Sequence, residues 1–322
     1  MSSFREGIPS VDFDQRQELL GAHFLQSGAW AQFLAAQGET VVWDEGDGWS
    51  WVGAVRSGRG VRYVYAPYGP TVRDGTALAL ALASLKAAAK ALGADFARVE
   101  PVGGIEARDL PVVLKLTASV QPQHSWALDL TLSEEELRAG LIPSHRNVIN
   151  GAERRGLSFR LGEAPEDLEQ FLAFLHETKR LRGFEGFGDD YYRTMMATLA
   201  PLGCARLFVA EAEGRAVAAS IVFDGYGVRY YAHTGLSEAA RKLRATAPLV
   251  WTLAMDARER GLRRFDLWGV APPGAPKTHP WAGFTEFKQS FGGEPVDYVG
   301  TWELPVAAAK YRLYRWVRRV AR

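Results

Sequence analysis

Ala205–His233, ARLFVAEAEGRAVAASIVFDGYGVRYYAH, is the most regular part of the chain. Ala205–Glu211, Ala216–Phe223 and Val228–His233 are runs rich in β-branched and aromatic residues, the composition of strands. Glu213-Gly214 and Asp224-Gly225 between them are hairpin-turn dipeptides. The three runs therefore predict an antiparallel meander. On its C-terminal side, Pro248–Arg260 has helical periodicity closed by Gly261, and Arg264–Trp268 reads as a further strand. On its N-terminal side, a helix over Ser144–Arg155 stops at Gly156, a strand covers Leu157–Leu161, and helices follow over Glu166–Arg182 and Asp190–Leu199.

The first half repeats this order. A helix near Ala29–Gln37 precedes strands at Thr40–Trp43, Trp49–Val55 and Val61–Tyr65, with Gly58-Arg59-Gly60 as a hairpin turn. A long Ala/Leu helix, Thr76–Leu92, ends at Gly93 and leads into a strand at Asp95–Val99. Another strand, Trp126–Leu130, is followed by a capping box formed by Ser133 and Glu136. The expected class is α/β (α+β), with mixed sheets flanked by helices, and the element order is similar to that of an acetyltransferase-like (GNAT-type) fold used twice in tandem.

Composition narrows the function. The 322 residues are 47% apolar and 23% charged, with 38 Lys+Arg against 37 Asp+Glu, which excludes a disordered chain and a uniformly basic nucleic-acid binder. Cys204 is the single cysteine and is expected to be buried; no internal disulfide is possible. MSSFREGIPS at the start has no apolar run of the kind a secretory signal needs, and Ala77–Leu92 is interrupted by Ser84, Lys86 and Lys90. The expectation is a cytoplasmic protein without a transmembrane segment. GxxxxGK[ST], HExxH, paired CxxC and GxSxG are all missing, so no metal site is expected and serine-hydrolase chemistry ranks low. An acyl-CoA enzyme would cradle pyrophosphate on a glycine-containing loop before a helix, and the corresponding Arg241–Pro248 contains no glycine.

Several segments, in order, resemble the FemABX family of aminoacyl-tRNA-dependent peptidyltransferases. They are Phe24-Leu25-Gln26-Ser27-Gly28-Ala29-Trp30, Tyr65-Ala66-Pro67-Tyr68-Gly69-Pro70, Arg146-Asn147-Val148-Ile149 with Ala152–Gly156, Tyr231–Ser237, Phe265-Asp266-Leu267-Trp268-Gly269-Val270, and Gly283–Gly293, GFTEFKQSFGG. The last, shortly after DLWG, is the specific one. The resemblance implies two acetyltransferase-like domains, 1–143 completed by a returning 303–322, and 144–302. It implies transfer of an aminoacyl group from tRNA to an amine of a peptidoglycan precursor stem peptide, without a cofactor. Phe171–Ala200 leaves no room for the long helical arm of some members, which points to the shorter, armless branch.

By similarity, Lys288 supplies a cation near the ester or terminal ribose, and Phe287 stacks on the terminal adenosine. Matching Thr178-Lys179-Arg180 to the family's Thr-x-Arg gives Thr178 and Arg180 a diphosphate contact, with Arg182 as a rival. Tyr231 falls where the family lines the precursor channel, and Arg146 opens a helix that also carries Arg154 and Arg155. One position departs: members using the soluble nucleotide-linked precursor place a Lys a few residues after the early Trp, where this chain has Leu34. That shifts the expected acceptor toward a lipid-linked precursor. Lys310–Arg322, KYRLYRWVRRVAR, carries six basic residues and no acid among aromatics. It reads either as a helix packed on the body with a solvated basic side or as a peripheral contact with an anionic membrane face.

Overall fold

A computed structural model describes residues 4–183 and 186–320. It divides into two compact units, residues up to Gln123 together with those from Asp297 onward, and His124–Val296. The cuts lie 20 and 6 residues earlier than the expected boundaries at 143/144 and 302/303. β9 (His124–Asp129) pairs antiparallel with β14 (Arg264–Gly269), Leu128 opposite Phe265, and so is built into the second sheet.

The second unit centres on the expected meander, β11 (Ala205–Ala212), β12 (Arg215–Gly225) and β13 (Val228–Leu236). β10 (Leu157–Leu161) extends it on one side, and β14, β9 and β15 (Glu294–Asp297) on the other, giving the order β10-β11-β12-β13-β14-β9-β15. The helices are α4 (Glu134–Gly140), α5 (Pro143–Asn150), α6 (Pro165–Arg182), α7 (Asp189–Leu199), α8 (Glu238–Lys242), α9 (Thr246–Glu259) and α10 (Ala282–Gln289). Leu249, Val250, Leu253, Ala254 and Ala257 of α9 pack with Ala218, Val222, Phe265 and Leu267 of the strands, all buried. α6 and α7 have 18 and 11 residues.

The first unit repeats the pattern with β2 (Thr40–Gly46), β3 (Trp49–Gly58), β4 (Val61–Ala66), α3 (Gly75–Ala91) and β6 (Phe96–Val99). Its sheet runs β1 (Arg5–Glu6)-β2-β3-β4-β6-β16 (Trp302–Pro305)-β8 (Lys115–Leu116), with β5 (Thr71–Val72) and β7 (Val102–Gly103) off the β3 side. In each unit the meander's last strand pairs in parallel with the strand after its helix, β4 with β6 and β13 with β14. α1 (Val11–Leu19) and α2 (Gly28–Ala36) complete the front of the unit, and α11 (Ala308–Val320) follows β16.

Several motif residues are architectural. Gln26 is fully buried; its amide donates to Val52 O (2.9 Å) and Pro67 O (2.8 Å) and accepts from Val52 N (3.0 Å), tying the early motif to the Tyr65–Pro70 motif. Ser27 caps α2 by accepting from Trp30 N. Leu34, at the position where the resemblance implies a Lys, lies in the buried interior. Cys204, expected to be buried, is partly exposed.

Candidate active site

The parallel pairing of β13 with β14 stops at Tyr230 and Asp266, while β13 continues to Leu236 and β14 to Gly269. Beyond that point the two strands share no ladder bonds. β14 itself leaves register with β9 between Asp266 and Gly269, and Trp268 takes a left-handed φ of 64°. Its N–H donates to Asp266 Oδ1 at 2.7 Å, and Ser125 Oγ of β9 donates to the same oxygen. Tyr230 and Phe223 place their rings edge-on to Trp268, at 5.7 and 6.4 Å.

Lys288 lies opposite this irregular strand end. Its Nζ donates to Gly269 O at 2.6 Å, and burial brings its pKa down to about 8, with the Asp266 charge opposing the fall. Burial pushes the Asp266 carboxyl up, partly offset by its hydrogen bonds to Ser125 and Trp268. Thr285, one turn before Lys288 on α10, accepts from Ala271 N at 2.8 Å, so the helix holds the loop after β14 at two points. The result is a desolvated cation beside a buried carboxylate, where two parallel strands part. Such a cation is suited to stabilising negative charge that develops on a bound carbonyl oxygen.

The remaining GFTEFKQSFGG residues explain the motif's form. Phe291 is buried, and Gly292 O accepts from Trp126 Nε1 at 2.6 Å. Gly293 has φ of 83° and passes so close to Ala127 that a Cβ would lie 2.2 Å from its carbonyl oxygen; only glycine fits. Phe287 sits on the helix side facing the core, 5.5 Å from the His145 ring and 5.2 Å from Phe291. Phe284, four residues before Lys288, is 47% exposed. A helix places positions i and i+4 on one face, so Phe284 is the aromatic on the Lys288 side. The FTEFK spacing contained that alternative.

The predicted substrate contacts are spread more widely. Thr178 donates to Phe174 O (2.8 Å) within α6 and accepts from Leu236 N (3.0 Å), pinning the helix to the end of β13. Arg180 is exposed and makes no ion pair among the described residues; the side chain of its rival Arg182 lies outside them. Tyr231 lies beside the Ser220 and Thr234 hydroxyls, which bond one another, with its ring edge-on to Phe265 at 6.3 Å. Arg146 donates to the carbonyls of Arg138, Ala139 and Leu141, closing the C-terminal end of α4. Lys288 has no hydrogen bond or ion pair to Thr178, Arg180, Tyr231 or Arg146 among the described residues. Sequence reasoning named Asp266 only as part of a motif and left out Ser125, whose strand lies some 140 residues away in the chain. Among the described residues no cluster of His, Cys, Asp and Glu could hold a metal, and no helix is long and apolar enough to cross a membrane.

A meander, a helix and a parallel strand, used twice, define a tandem GNAT-type fold, and an acetyltransferase (GNAT) domain family model matches residues 143–288. The FemABX resemblance carried by the motifs has a counterpart in sequence in one relative and in fold in one solved structure. The chain is 24% identical over 99 residues to the aminoacyltransferase FemA of Staphylococcus epidermidis, a match covering 31% of this chain and 23% of FemA. The chain thus aligns with about a quarter of that relative's length. The crystal structure of FemX superposes with a TM-score of 0.81 at 15% identity, covering 96% of this chain and 99% of that one. The C-terminal domain of a lysylphosphatidylglycerol synthetase from Agrobacterium fabrum shares the fold at a TM-score of 0.63 and 16% identity, over 94% and 93% of the two chains.

Proposed function

We propose that the protein transfers an aminoacyl group from aminoacyl-tRNA to an amine of a peptidoglycan precursor stem peptide. The observation that carries this reading is Lys288, a half-buried cation at the open end of β14 with its pKa lowered by desolvation, on the motif most specific to the FemABX resemblance. In the reaction the amine lone pair attacks the ester carbonyl, a C–N bond forms, the ester C–O bond breaks, and the ribose hydroxyl leaves with the proton given up by the amine. The ester is already activated, so positioning and charge stabilisation suffice. Lys288 stabilises the carbonyl oxygen, and an aromatic of α10, Phe287 or the exposed Phe284, stacks on the terminal adenosine. Thr178, Arg180, Tyr231 and Arg146 stand as acceptor-side contacts. The tRNA is held at its acceptor end, consistent with the near-zero net charge. The acceptor is lipid-linked in preference to nucleotide-linked, because Leu34 is interior. The enzyme works in the cytoplasm, touching the inner membrane face through α11.

The test incubates the protein with a pool of charged tRNAs and, in separate arms, nucleotide-linked precursor, lipid-linked precursor and phosphatidylglycerol, with acceptor mass read by spectrometry. A gain of one amino-acid residue on a precursor, lost in Lys288→Met, supports the proposal. Gain only on phosphatidylglycerol would move the acceptor to a lipid, the substrate class in the Agrobacterium protein's name. Acylation of an amine from acetyl-CoA alone would overturn the tRNA reading.

A further inference from the structure

The C-terminal helix packs on the body through one side only. Tyr311 and Tyr314 lie against Phe96, with ring centroids at 5.5 and 5.3 Å, and Tyr311 OH donates to Glu303 at 2.8 Å. Arg318 is fixed on the same side, donating to Thr117 Oγ1 and Tyr314 OH, both at 3.1 Å. Leu313, Trp316 and Val317 point away, 59%, 62% and 49% exposed. Their spacing puts them on one helical stripe. Arg312 and Arg319 flank that stripe, exposed and without a hydrogen bond or ion pair among the described residues, while Arg315 has only a long contact to Tyr311 OH at 3.5 Å. Arg315, Arg318 and Arg319 line a cleft of about 260 Å³ with Leu116, Thr117 and Ala118. Leu116 is itself 58% exposed, and Val112, in the loop before it, is almost wholly so.

We propose that this face of α11 and the adjoining Leu116–Ala118 strip dock the protein on an anionic phospholipid bilayer, with lipid phosphates entering the cleft against Arg315 and Arg319. The proposal deepens the membrane contact suggested above and rests on that part of the functional reading. Charge complementarity selects the occupant. α11 has basic residues at Lys310, Arg312, Arg315, Arg318 and Arg319 and no acid. A second copy meeting this face through a two-fold axis would oppose like charges. Nucleic acid would satisfy the arginines but leave Leu313 and Val317 without use. A bilayer interface satisfies both, taking the apolar stripe below the headgroups and the guanidiniums at phosphate level.

The full-length protein is sedimented with vesicles of equal parts phosphatidylglycerol and phosphatidylcholine, and with phosphatidylcholine vesicles, at low and high salt. Binding to the anionic vesicles alone is expected, weakening with salt. Arg315→Glu/Arg319→Glu should lower the partition at least about tenfold, and Leu313→Ser/Trp316→Ser should lower it with melting temperature unchanged. Leu313, Trp316 and Arg319 are exposed and Arg315 is half-buried, so circular dichroism checks that each variant keeps its fold. No binding, equal binding to both vesicles, or wild-type binding by both double variants overturns the proposal. Release by millimolar glycerol phosphate would also overturn it, in favour of a soluble phosphate ligand, as would a wild-type dimer that Trp316→Ser makes monomeric. Failure of the transfer assay with vesicle binding intact would remove the catalytic reading alone, and the reverse result would remove this one alone.

Discussion

Lys288 titrates inside the working range of a cell. Its pKa of about 8 lies below the ordinary lysine value of 10.5 because burial disfavours the charge. The cation therefore dominates below pH 8 and is lost as pH rises through that value. If it stabilises the reacting carbonyl, the single-turnover transfer rate should hold level below pH 8 and fall above it. Asp266 is the neighbour that raises the Lys288 pKa, so Asp266→Asn should move this falling limb to lower pH; a rate profile unchanged in position would show that the carboxylate does not tune the lysine. Stability runs the other way. Between about 8 and 10.5 the unfolded chain holds the proton that the folded chain has released, so stability rises with pH across that window and the burial penalty is fully present below it. The motif made Lys288 legible from sequence. Its desolvation was not, since Ser125, Asp266 and Gly269 meet it only after β9 and β14 have paired. Phe287 shows the same limit: the motif named an aromatic, and only the helix shows which aromatic faces the core.

At the scale of elements, the meander was readable because its runs alternate and end in turn residues. Arg59-Gly60 and Glu213-Gly214 take left-handed φ values at both positions, the geometry of a tight hairpin. The third turn slips: Asp224-Gly225 remains in β12, and Tyr226-Gly227 makes the turn. Asp224 is held in the strand by Arg229, fully buried, which donates to both Asp224 oxygens at 2.7 Å and to Asp256 of α9 at 2.7 Å. A buried ion pair between strands leaves no local signature in composition. Arg229→Met leaves the buried Asp224 with only the long Arg260 contact at 3.8 Å and should cost about 3–5 kcal/mol in urea unfolding. α6 crosses β13 so closely at Gly235 that a Cβ would stand 2.6 Å from Leu175 N. Gly235→Ala should cost about 1–3 kcal/mol by forcing that helix outward, and with it Thr178, which would show as an exchange-rate increase at the Leu236 amide. α1 escaped notice since its nine residues bury only Phe13 and Gln17 and present no stripe.

For the whole molecule, the two units differ in how the chain supplies them. His124–Val296 is one continuous run that brings all but the last residue of its seven-stranded sheet. A fragment spanning 124–297 should therefore melt cooperatively by circular dichroism. Residues 1–123 alone should not, because β16, which lies between β6 and β8, is then missing. Leu304 of β16 is interior to that unit, and Glu303 pairs with Arg98 at 2.7 Å. The twofold use of one element order was visible in the sequence, whereas the exact cut was not, since a strand's allegiance is fixed by its partner and not by its own residues.

The placement of β16 also orders events at the ribosome. The second unit is complete in the nascent chain before Trp302 has emerged, while the sheet begun some two hundred residues earlier still exposes the open edge of β6. That edge, carrying Phe96 and Val99, must be shielded from wrong pairing for the whole time the intervening unit is being made. The protein thus finishes last what it started first, and a stop codon before Trp302 would release a chain with one finished sheet and one sticky edge.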